Sequence, residues 1–252
     1  MVALFRQDNY SDPARSPDFS LIIPCYCEAP YLNKNIVYLS DLLRSHGLHY
    51  ELIFVEDFSP DSTKTELLKL VPELEAKKIS YKILLHERNL GRGRSVSDGI
   101  LAAAGEVCGF IDIDLENDPA AIFPMYSMIA RGDCDVVVGA RFLIGGDPSR
   151  LRRILHLGYR ILIHSIVPLP ISDTETGLKL FRREKILGVV PLVKDNHWFW
   201  DTEIVLRAAA AGLRIAEYPV AFTRDRSKKS TVRVFRDSFK YLLAIAKYLF
   251  QK

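Results

Sequence analysis

Short apolar runs alternate with segments of helical periodicity through the first half of the chain. Strands are predicted at residues 19–24, 50–55, 81–85, 107–111 and 135–139. Helices are predicted between them, at residues 31–45, 61–77, 93–104 and 119–130. Because continuous apolar strands that alternate with helices form βαβ units, we expect an α/β fold with a buried, mostly parallel central sheet flanked by helices.

The second half of the chain has a less regular pattern. The predicted elements are a helix at 148–166, a short strand at 177–181, a helix at 200–211 and a strand at 214–220. Between residues 232 and 250, apolar positions recur in steps of three and four, which predicts an amphipathic C-terminal helix. Packing on its own domain is the simpler interpretation of this helix; its basic residues favour a membrane surface.

Polar and glycine-rich segments follow the predicted strands of the first half. They are residues 24–28, 56–59, 86–91 and 112–118. In parallel α/β sheets, ligands bind beyond the carboxyl ends of the strands. We therefore expect these segments to converge on one edge of the sheet and to form a binding site there.

Length and composition are those of an ordinary globular domain. The chain has 252 residues, of which 48% are hydrophobic and 26% charged, and no apolar run reaches the roughly 18 residues of a membrane-spanning helix. The N-terminal segment lacks the apolar core of a signal peptide. The four cysteines have no zinc-ligand spacing, so we expect small core residues in a reduced, cytoplasmic protein. They are Cys25, Cys27, Cys108 and Cys134.

The net charge of +3 conceals two basic clusters in the second half. Residues 141–160 carry a net charge of +4 and residues 224–236 carry +5, which leaves −6 for the rest of the chain. This asymmetry favours an anionic partner or an anionic surface.

Carboxylates crowd together directly after the apolar run at 107–111. Asp112 and Asp114 are one residue apart, and Glu116 and Asp118 follow. Like charges that share a partly buried site usually have a cation among them, and hard carboxylate oxygens suit Mg²⁺ or Mn²⁺. A solvated turn is the alternative interpretation, because Asp and Asn are ordinary turn residues.

Seven segments, taken in order, resemble family-2 glycosyltransferases of the GT-A (Rossmann-like) fold. They read LIIPCYCEAPYL, FVEDFSPDST, ERNLGRGRSVSDGILAAAGE, GFIDIDLENDPAAI, VVVGARFL, SDTETGLKLFRR and WFWDTEIVLRAAAAGLRIAEYPV. Within that family the chain looks most like the transferases that act on polyprenyl phosphate, of the dolichyl-phosphate mannosyl- and glucosyltransferase type. The resemblance covers residues 19–240. It implies one domain over residues 1–252, with a nucleotide and metal half at about 19–140 and an acceptor half at about 141–252.

The resemblance also implies roles for individual residues. Those expected to bind the nucleotide are Pro24, Tyr26, Glu28, Asp57, Asp112 and Ile113. Those expected at the metal are Asp112, Asp114 and Glu116. Asp173, Thr176 and Gly177 match a D-x-x-x-G segment beside the sugar pocket, and Arg141 matches an arginine that contacts phosphate.

Two positions and one motif depart from the family pattern. Cys27 replaces an Asn of the first loop, and Glu56 stands where the family often has Asp. The final basic motif, usually an Arg followed by Gly-x-Ser-Lys, reads here Arg226-Ser-Lys-Lys-Ser-Thr231.

A phosphate acceptor fits the charge pattern. Its second pKa is about 6, so it is nucleophilic at neutral pH without a general base and needs cations to position it. The candidates are Arg141, Arg150, Arg152, Arg153, Arg226, Lys228 and Lys229. We expect a metal-dependent, inverting transfer of a hexose from a UDP- or GDP-sugar to a polyprenyl phosphate by a peripheral protein at the cytosolic membrane face, with no nucleic-acid partner.

Two alternatives remain open at this point. A hydroxyl acceptor would require a base, for which Asp201 and Glu203 are the candidates; on a helix these two residues do not share a face, so we expect only one to face the site. A non-catalytic nucleotide-binding protein is the minor alternative, against which the intact Asp112, Asp114 and Arg141 argue.

Overall fold

The chain adopts an eight-stranded mixed sheet with helices on both faces. The computed structural model describes the backbone of residues 3–7, residues 16–143 and 171–224, and the helical residues Leu243, Ile245 and Tyr248. The strands are β1 Ala3–Gln7, β2 Phe19–Cys25, β3 Tyr50–Glu56, β4 Ser80–Leu85, β5 Val107–Ile111, β6 Val136–Leu143, β7 Leu178–Arg182 and β8 Ile215–Phe222. The helices are α1 Ala29–Ser45, α2 Thr63–Lys69, α3 Val71–Ala76, α4 Arg92–Ala102, α5 Ile122–Ala130, α6 Arg183–Ile186 and α7 Trp200–Ala210, with 3₁₀ turns at Pro119–Ala121 and Val190–Leu192.

The strand order is β1-β4-β3-β2-β5-β7-β6-β8. Strands β4, β3, β2 and β5 run parallel, and β6 runs parallel to β8. Strand β7 lies antiparallel between β5 and β6, and β1 lies antiparallel beside β4. The predicted α/β class with a mostly parallel sheet flanked by helices is confirmed. Because β7 is reversed, its first residue lies at the same edge as the last residues of β5 and β6.

Side-chain alternation along the strands builds a core on each face of the sheet. In β2, Leu21 and Ile23 enter the core beneath α1 and α5, while Ile22 enters the opposite core beneath α4 and α7. This is the period of two that a strand buried on both faces requires. The two cores hold the sheet rigid, so the loops at its carboxyl edge project from a fixed frame.

Several boundaries differ from the prediction. The helix predicted at 61–77 is two helices, because Pro72 has no N–H to donate and its ring disfavours a continuous helix across Leu70. The N-terminal segment, for which no element was predicted, contains β1, which pairs with β4. Cys25, Cys108 and Cys134 are buried as expected, but the prediction was wrong for Cys27, which is exposed in a turn beyond the end of β2.

No helix among the described residues is long and apolar enough to cross a membrane. The predicted helix at 148–166 lies outside the described residues. The predicted helix at 232–250 is described only at Leu243, Ile245 and Tyr248; all three are helical, and the latter two are buried against the α7 side of the sheet.

Candidate active site

The carboxylate pair lies where β5 and β7 meet at the edge of the sheet. Ile111, the last residue of β5, is paired with Leu178, the first residue of β7. One step further along, the amide of Asp112 donates to the carbonyl of Gly177 at 3.2 Å. The sheet register therefore brings the predicted metal-binding segment and the predicted sugar-pocket segment into direct contact.

Arg92, the first residue of α4, connects this edge to helix α7. Its Nε and Nη2 donate to Oδ1 of Asp112 at 2.8 and 2.7 Å, and its Nη1 donates to Oδ2 of Asp201 at 2.6 Å. Lys179, fully buried in β7, donates to the other oxygen of Asp201 at 2.7 Å. Both cations lie over the ring of Phe110. Four elements thus converge on one charged network.

Burial and pairing act in opposite directions on these groups. Burial raises the pKa of Asp112, and Arg92 opposes that rise. Burial lowers the pKa of Lys179, and Asp201 opposes that fall. The buried charges are tolerated because each carboxylate has a cation within hydrogen-bond distance.

A second ion pair joins β6 to the segment before β7. Arg141 donates through Nε and Nη2 to the two oxygens of Asp173, at 2.6 and 3.0 Å. Burial alone would raise the pKa of Asp173, but Arg141 holds it below its ordinary value. Thr176 is buried beside this pair, with its hydroxyl 3.5 Å from the side-chain oxygen of Asn117. The predicted phosphate-contacting arginine and the predicted sugar-pocket residues are therefore neighbours.

Asp114 and Glu116 are partly exposed beyond Asp112. The amide of Glu116 lies 3.4 Å from Oδ1 of Asp114. The side chain of Ile113 is in the core, and its carbonyl accepts a hydrogen bond of 2.7 Å from Asn35 of α1. This bond fixes the carboxylate loop against the first helix, so Asp112 and Asp114 hold defined positions.

The predicted nucleotide loops are tied to each other. The amide of Cys27 donates to the hydroxyl of Ser59, and the amide of Glu28 donates to that of Thr63. Pro24 is buried within β2, whereas Tyr26 is exposed. Left-handed backbone conformations are rare outside glycine, yet they occur here in three non-glycine residues that follow the ends of β2, β3 and β5. They are Cys27, Phe58 and Leu115.

Asp57 shapes the loop between β4 and α4. Its carboxylate accepts from the amides of Leu90 and Gly91 at 2.7 and 2.8 Å, and its Oδ1 lies 2.7 Å from Nδ1 of His86. The other ring nitrogen of His86 contacts Asp98 at 3.1 Å. Although burial lowers the pKa of His86, Asp57 and Asp98 raise it to about 9. The predicted nucleotide-contacting carboxylate is thus held by the ring of His86 and by two backbone amides.

Asp201 and Glu203 lie in different surroundings, as their helical spacing predicts. Asp201 joins the network at the edge of the sheet. Glu203 accepts from the amides of Lys194 and Asp195 and pairs with Arg207 at 2.5 Å, so it anchors the loop before α7. Both carboxylates are buried, and both oxygens of each are occupied by protein donors.

The acidic edge fits a divalent cation that is completed by substrate. Among the described residues, no group of three or more His, Cys, Asp or Glu side chains surrounds a common point. Mg²⁺ typically needs only one or two carboxylates when phosphate oxygens supply the rest of its coordination. The donor chemistry of Asp112 and Asp114 meets that requirement, and Arg92 occupies only one oxygen of Asp112.

Sequence reasoning missed Arg92, Lys179, His86 and Glu175. A lysine inside the apolar strand LKLF is a signal of a buried ion pair, and an arginine at the start of a helix opposes the helix dipole unless a carboxylate compensates it. The predicted cations at Arg150, Arg152, Arg153, Arg226, Lys228 and Lys229 lie outside the described residues.

A sheet of this order with acidic residues at its carboxyl edge defines the class of fold, which is the GT-A fold. Two solved structures share this fold. Mannosyltransferase PcManGT from Pyrobaculum calidifontis, solved with GDP-Man and Mn²⁺, has a TM-score of 0.58 at 18% identity; the match covers 84% of this chain and 58% of that one. Glucosyl-3-phosphoglycerate synthase from Mycobacterium tuberculosis, solved with Mn²⁺, UDP and glucosyl-3-phosphoglycerate, has a TM-score of 0.61 at 17% identity, over 83% and 73%.

The chain belongs to glycosyl transferase family 2, whose sequence profile matches residues 20–188. The dolichyl-phosphate beta-glucosyltransferase of Dictyostelium discoideum is 30% identical over 250 residues, which covers 90% of this chain and 76% of that protein. Its counterpart in Saccharomyces cerevisiae is 27% identical, over 88% and 71%. Glycosyltransferase AglD of Haloferax volcanii is 29% identical over 82% of this chain. The match covers only a third (33%) of the length of AglD. The resemblance read from the motifs is confirmed.

Proposed function

We propose that this chain is a metal-dependent, inverting glycosyltransferase that moves a hexose from a nucleotide sugar to a polyprenyl phosphate. The observation that carries this proposal is that Asp201 is already engaged by two cations. Its two oxygens are held by Arg92 and Lys179, so this carboxylate, which the sequence suggested as a base, is engaged in ion pairs. Two relatives named as dolichyl-phosphate beta-glucosyltransferases, which match about nine-tenths of the chain, support the same acceptor class.

Asp112 and Asp114 are the proposed ligands of Mg²⁺ or Mn²⁺, with Glu116 nearby. When bound, the cation neutralises charge that develops on the diphosphate leaving group. Arg92 holds Asp112 in place from the side of α4, and the Asn35 bond holds the loop from the side of α1. Pro24, Tyr26, Glu28, Asp57 and Ile113 remain the proposed nucleotide-binding positions.

The acceptor phosphate needs positioning rather than activation. One of its oxygens bonds to the anomeric carbon, the bond from that carbon to the diphosphate oxygen breaks, and the nucleoside diphosphate departs with the bonding electrons. No proton has to be removed, because a phosphate monoester is largely ionised near neutral pH. A hydroxyl acceptor would require a free base, and both candidates, Asp201 and Glu203, are engaged in ion pairs.

On the acceptor side of the site, this reaction requires cations that position the phosphate. Arg141 lies at the edge and shares its charge with Asp173. The proposed partners are Arg150, Arg153, Arg226, Lys228 and Lys229, from the two basic clusters. These clusters also support a peripheral position at the cytosolic membrane face, where a polyprenyl phosphate would be reached.

The test is product formation from UDP-glucose or GDP-mannose with a short polyprenyl phosphate in detergent, with Mn²⁺ or Mg²⁺. We expect a lipid-linked hexose that disappears with EDTA and in Asp114→Asn. The matched control is Asp133→Asn, since Asp133 is an exposed partner of Arg131 at a turn beyond α5. Donor hydrolysis without lipid product would move the acceptor to a hydroxyl compound. Failure to bind either donor would contradict the proposal altogether.

A further inference from the structure

Glu175 lies in the segment between the Arg141 partner and the metal edge. Its amide donates to Oδ1 of Asp173 at 3.1 Å, which fixes the backbone of this segment. Two residues later, Gly177 touches Asp112. Glu175 is partly exposed, and among the described residues its carboxyl forms no hydrogen bond or ion pair.

In the part of the chain that the structure describes, the charged groups around Glu175 form ion pairs with each other and not with Glu175. Arg141 of β6 is bound to Asp173, and Lys179 of β7 is bound to Asp201 of α7. Burial raises the pKa of Glu175 to about 7; Arg141 and Lys179 oppose this rise, and Asp173 and Asp201 add to it. A carboxylate that lacks its own cation is best satisfied by neutral hydrogen-bond donors.

We propose that Glu175 is a specificity-determining residue whose carboxylate accepts hydrogen bonds from hydroxyl groups of the donor hexose. The hexose is attached directly to the diphosphate that Asp112 and Asp114 are proposed to hold, so it must lie close to Asp112. Glu175 precedes by two residues the Gly177 whose carbonyl accepts from the amide of Asp112, and its charged neighbours include Asp201 and Lys179 of the same network. Hexose hydroxyls supply neutral donors, and among the described residues no such donor bonds to the carboxyl of Glu175. This inference rests on the proposed function, because it requires a nucleotide-sugar donor at this edge.

The role has a consequence for pH. Hydroxyl donors stabilise the ionised carboxylate, so donor binding lowers the pKa of Glu175 and releases protons near neutrality. A group that titrates near pH 7 is mostly protonated at pH 6 and mostly ionised at pH 8. The affinity for the nucleotide sugar should therefore rise about tenfold between these pH values. Both phosphates of a nucleotide sugar are diesters and do not titrate in this range.

The experiment is titration calorimetry of UDP-glucose and GDP-mannose at pH 6 and pH 8 with Mn²⁺ present. We expect the wild type to bind its donor about tenfold more tightly at pH 8. Glu175→Gln should abolish the pH dependence and weaken donor binding at pH 8 by about tenfold or more. Binding of the sugar-free nucleoside diphosphate at pH 8 should be unchanged. Glu184→Gln, on the exposed side of α6, is the control, and thermal unfolding checks that each variant is folded.

Glu175→Asp is the second variant, because it keeps the charge but withdraws it from the ligand. It should lose affinity and keep a pH dependence. The inference is overturned if Glu175→Gln retains the wild-type pH dependence. It is also overturned if donor binding is unchanged while transfer is lost, which would make Glu175 a base or an acceptor contact. If the wild type binds neither donor, the proposed function fails with it, whereas binding without a Glu175 effect overturns only this inference.

Discussion

Gly177→Ala tests whether the contact between β7 and the carboxylate pair is required. A Cβ added at Gly177 would lie 1.9 Å from Oδ2 of Asp112 and 2.7 Å from its Cγ. Ordinary contacts between heavy atoms begin well above 3 Å, so the carboxylate must move by more than about 1 Å. Arg92 holds the other oxygen, and its Nη2 would lie 3.4 Å from the new methyl group. Little room is left for that movement.

The expected effects on stability and activity are separable. Overpacking a buried site typically costs about 1–3 kcal/mol of unfolding free energy. A catalytic group displaced by about 1 Å can lower the rate about 10²-fold. We therefore expect a folded variant with weakened Mn²⁺ binding, measured by electron paramagnetic resonance, and about 10²-fold slower donor turnover. Gly188→Ala is the matched control, because a Cβ there meets only the carbonyl of Lys185 at 3.8 Å. Wild-type metal binding and turnover in Gly177→Ala would refute the reasoning.

Three further predictions follow from the charged groups and the strained turn. Arg92→Met leaves Asp112 and Asp201 without their shared cation. It should lower the unfolding free energy, measured by urea titration, by about 3–5 kcal/mol. An unchanged midpoint of urea unfolding would contradict this contribution of Arg92 to stability. The pKa of His86 is raised to about 9 from 6.5. The stabilisation of the folded state by protonated His86 is therefore complete below pH 6.5 and is lost as pH rises through 9. His86→Asn should remove this pH dependence of the unfolding free energy, which amounts to at most about 3 kcal/mol. A plot of unfolding free energy against pH that runs parallel to that of the wild type would count against this prediction. Cys27 has φ of 57°, and Cys27→Asn should raise the unfolding free energy by about 0.5–1 kcal/mol, since Asn tolerates this conformation better; a lower melting temperature would show that the thiol has another role.

The elements of the first half of the chain could be predicted from sequence because their strands are buried on both faces. Such strands are continuous apolar runs, and the run at 107–111 coincides with β5. The direction of β7 could not be read in this way. A five-residue strand carries no mark of its orientation, which is decided by pairing with β5 and β6 far away in the chain.

The carboxylates of the site were visible from sequence, and most of their partners were not. Asp112 and Asp114 follow an apolar strand, and that position alone places them at the edge. The bond from Arg92 to Asp201 spans 109 residues, and the bond from His86 to Asp57 spans 29. Contacts between residues so far apart in the chain depend on tertiary packing. The local sequence pattern therefore predicted the carboxylates of the site but not Arg92 and His86, which bind them.

Burial of an ion pair does not by itself mark a functional site in this chain. Lys82 and Glu51 form a buried pair at 2.8 Å at the opposite end of the sheet. There the charges satisfy local backbone: Lys82 donates to the carbonyl of Ala102 and Glu51 accepts from the amide of Ala104, which fixes the turn after α4. In the network of Arg92, Lys179 also donates to the carbonyl of Thr176, but the other bonds join side chains from separate elements. Because apolar replacements of buried ion pairs are often as stable, the network at the carboxyl edge is better explained by the proposed role of Asp112 as a metal ligand than by a contribution to the stability of the fold.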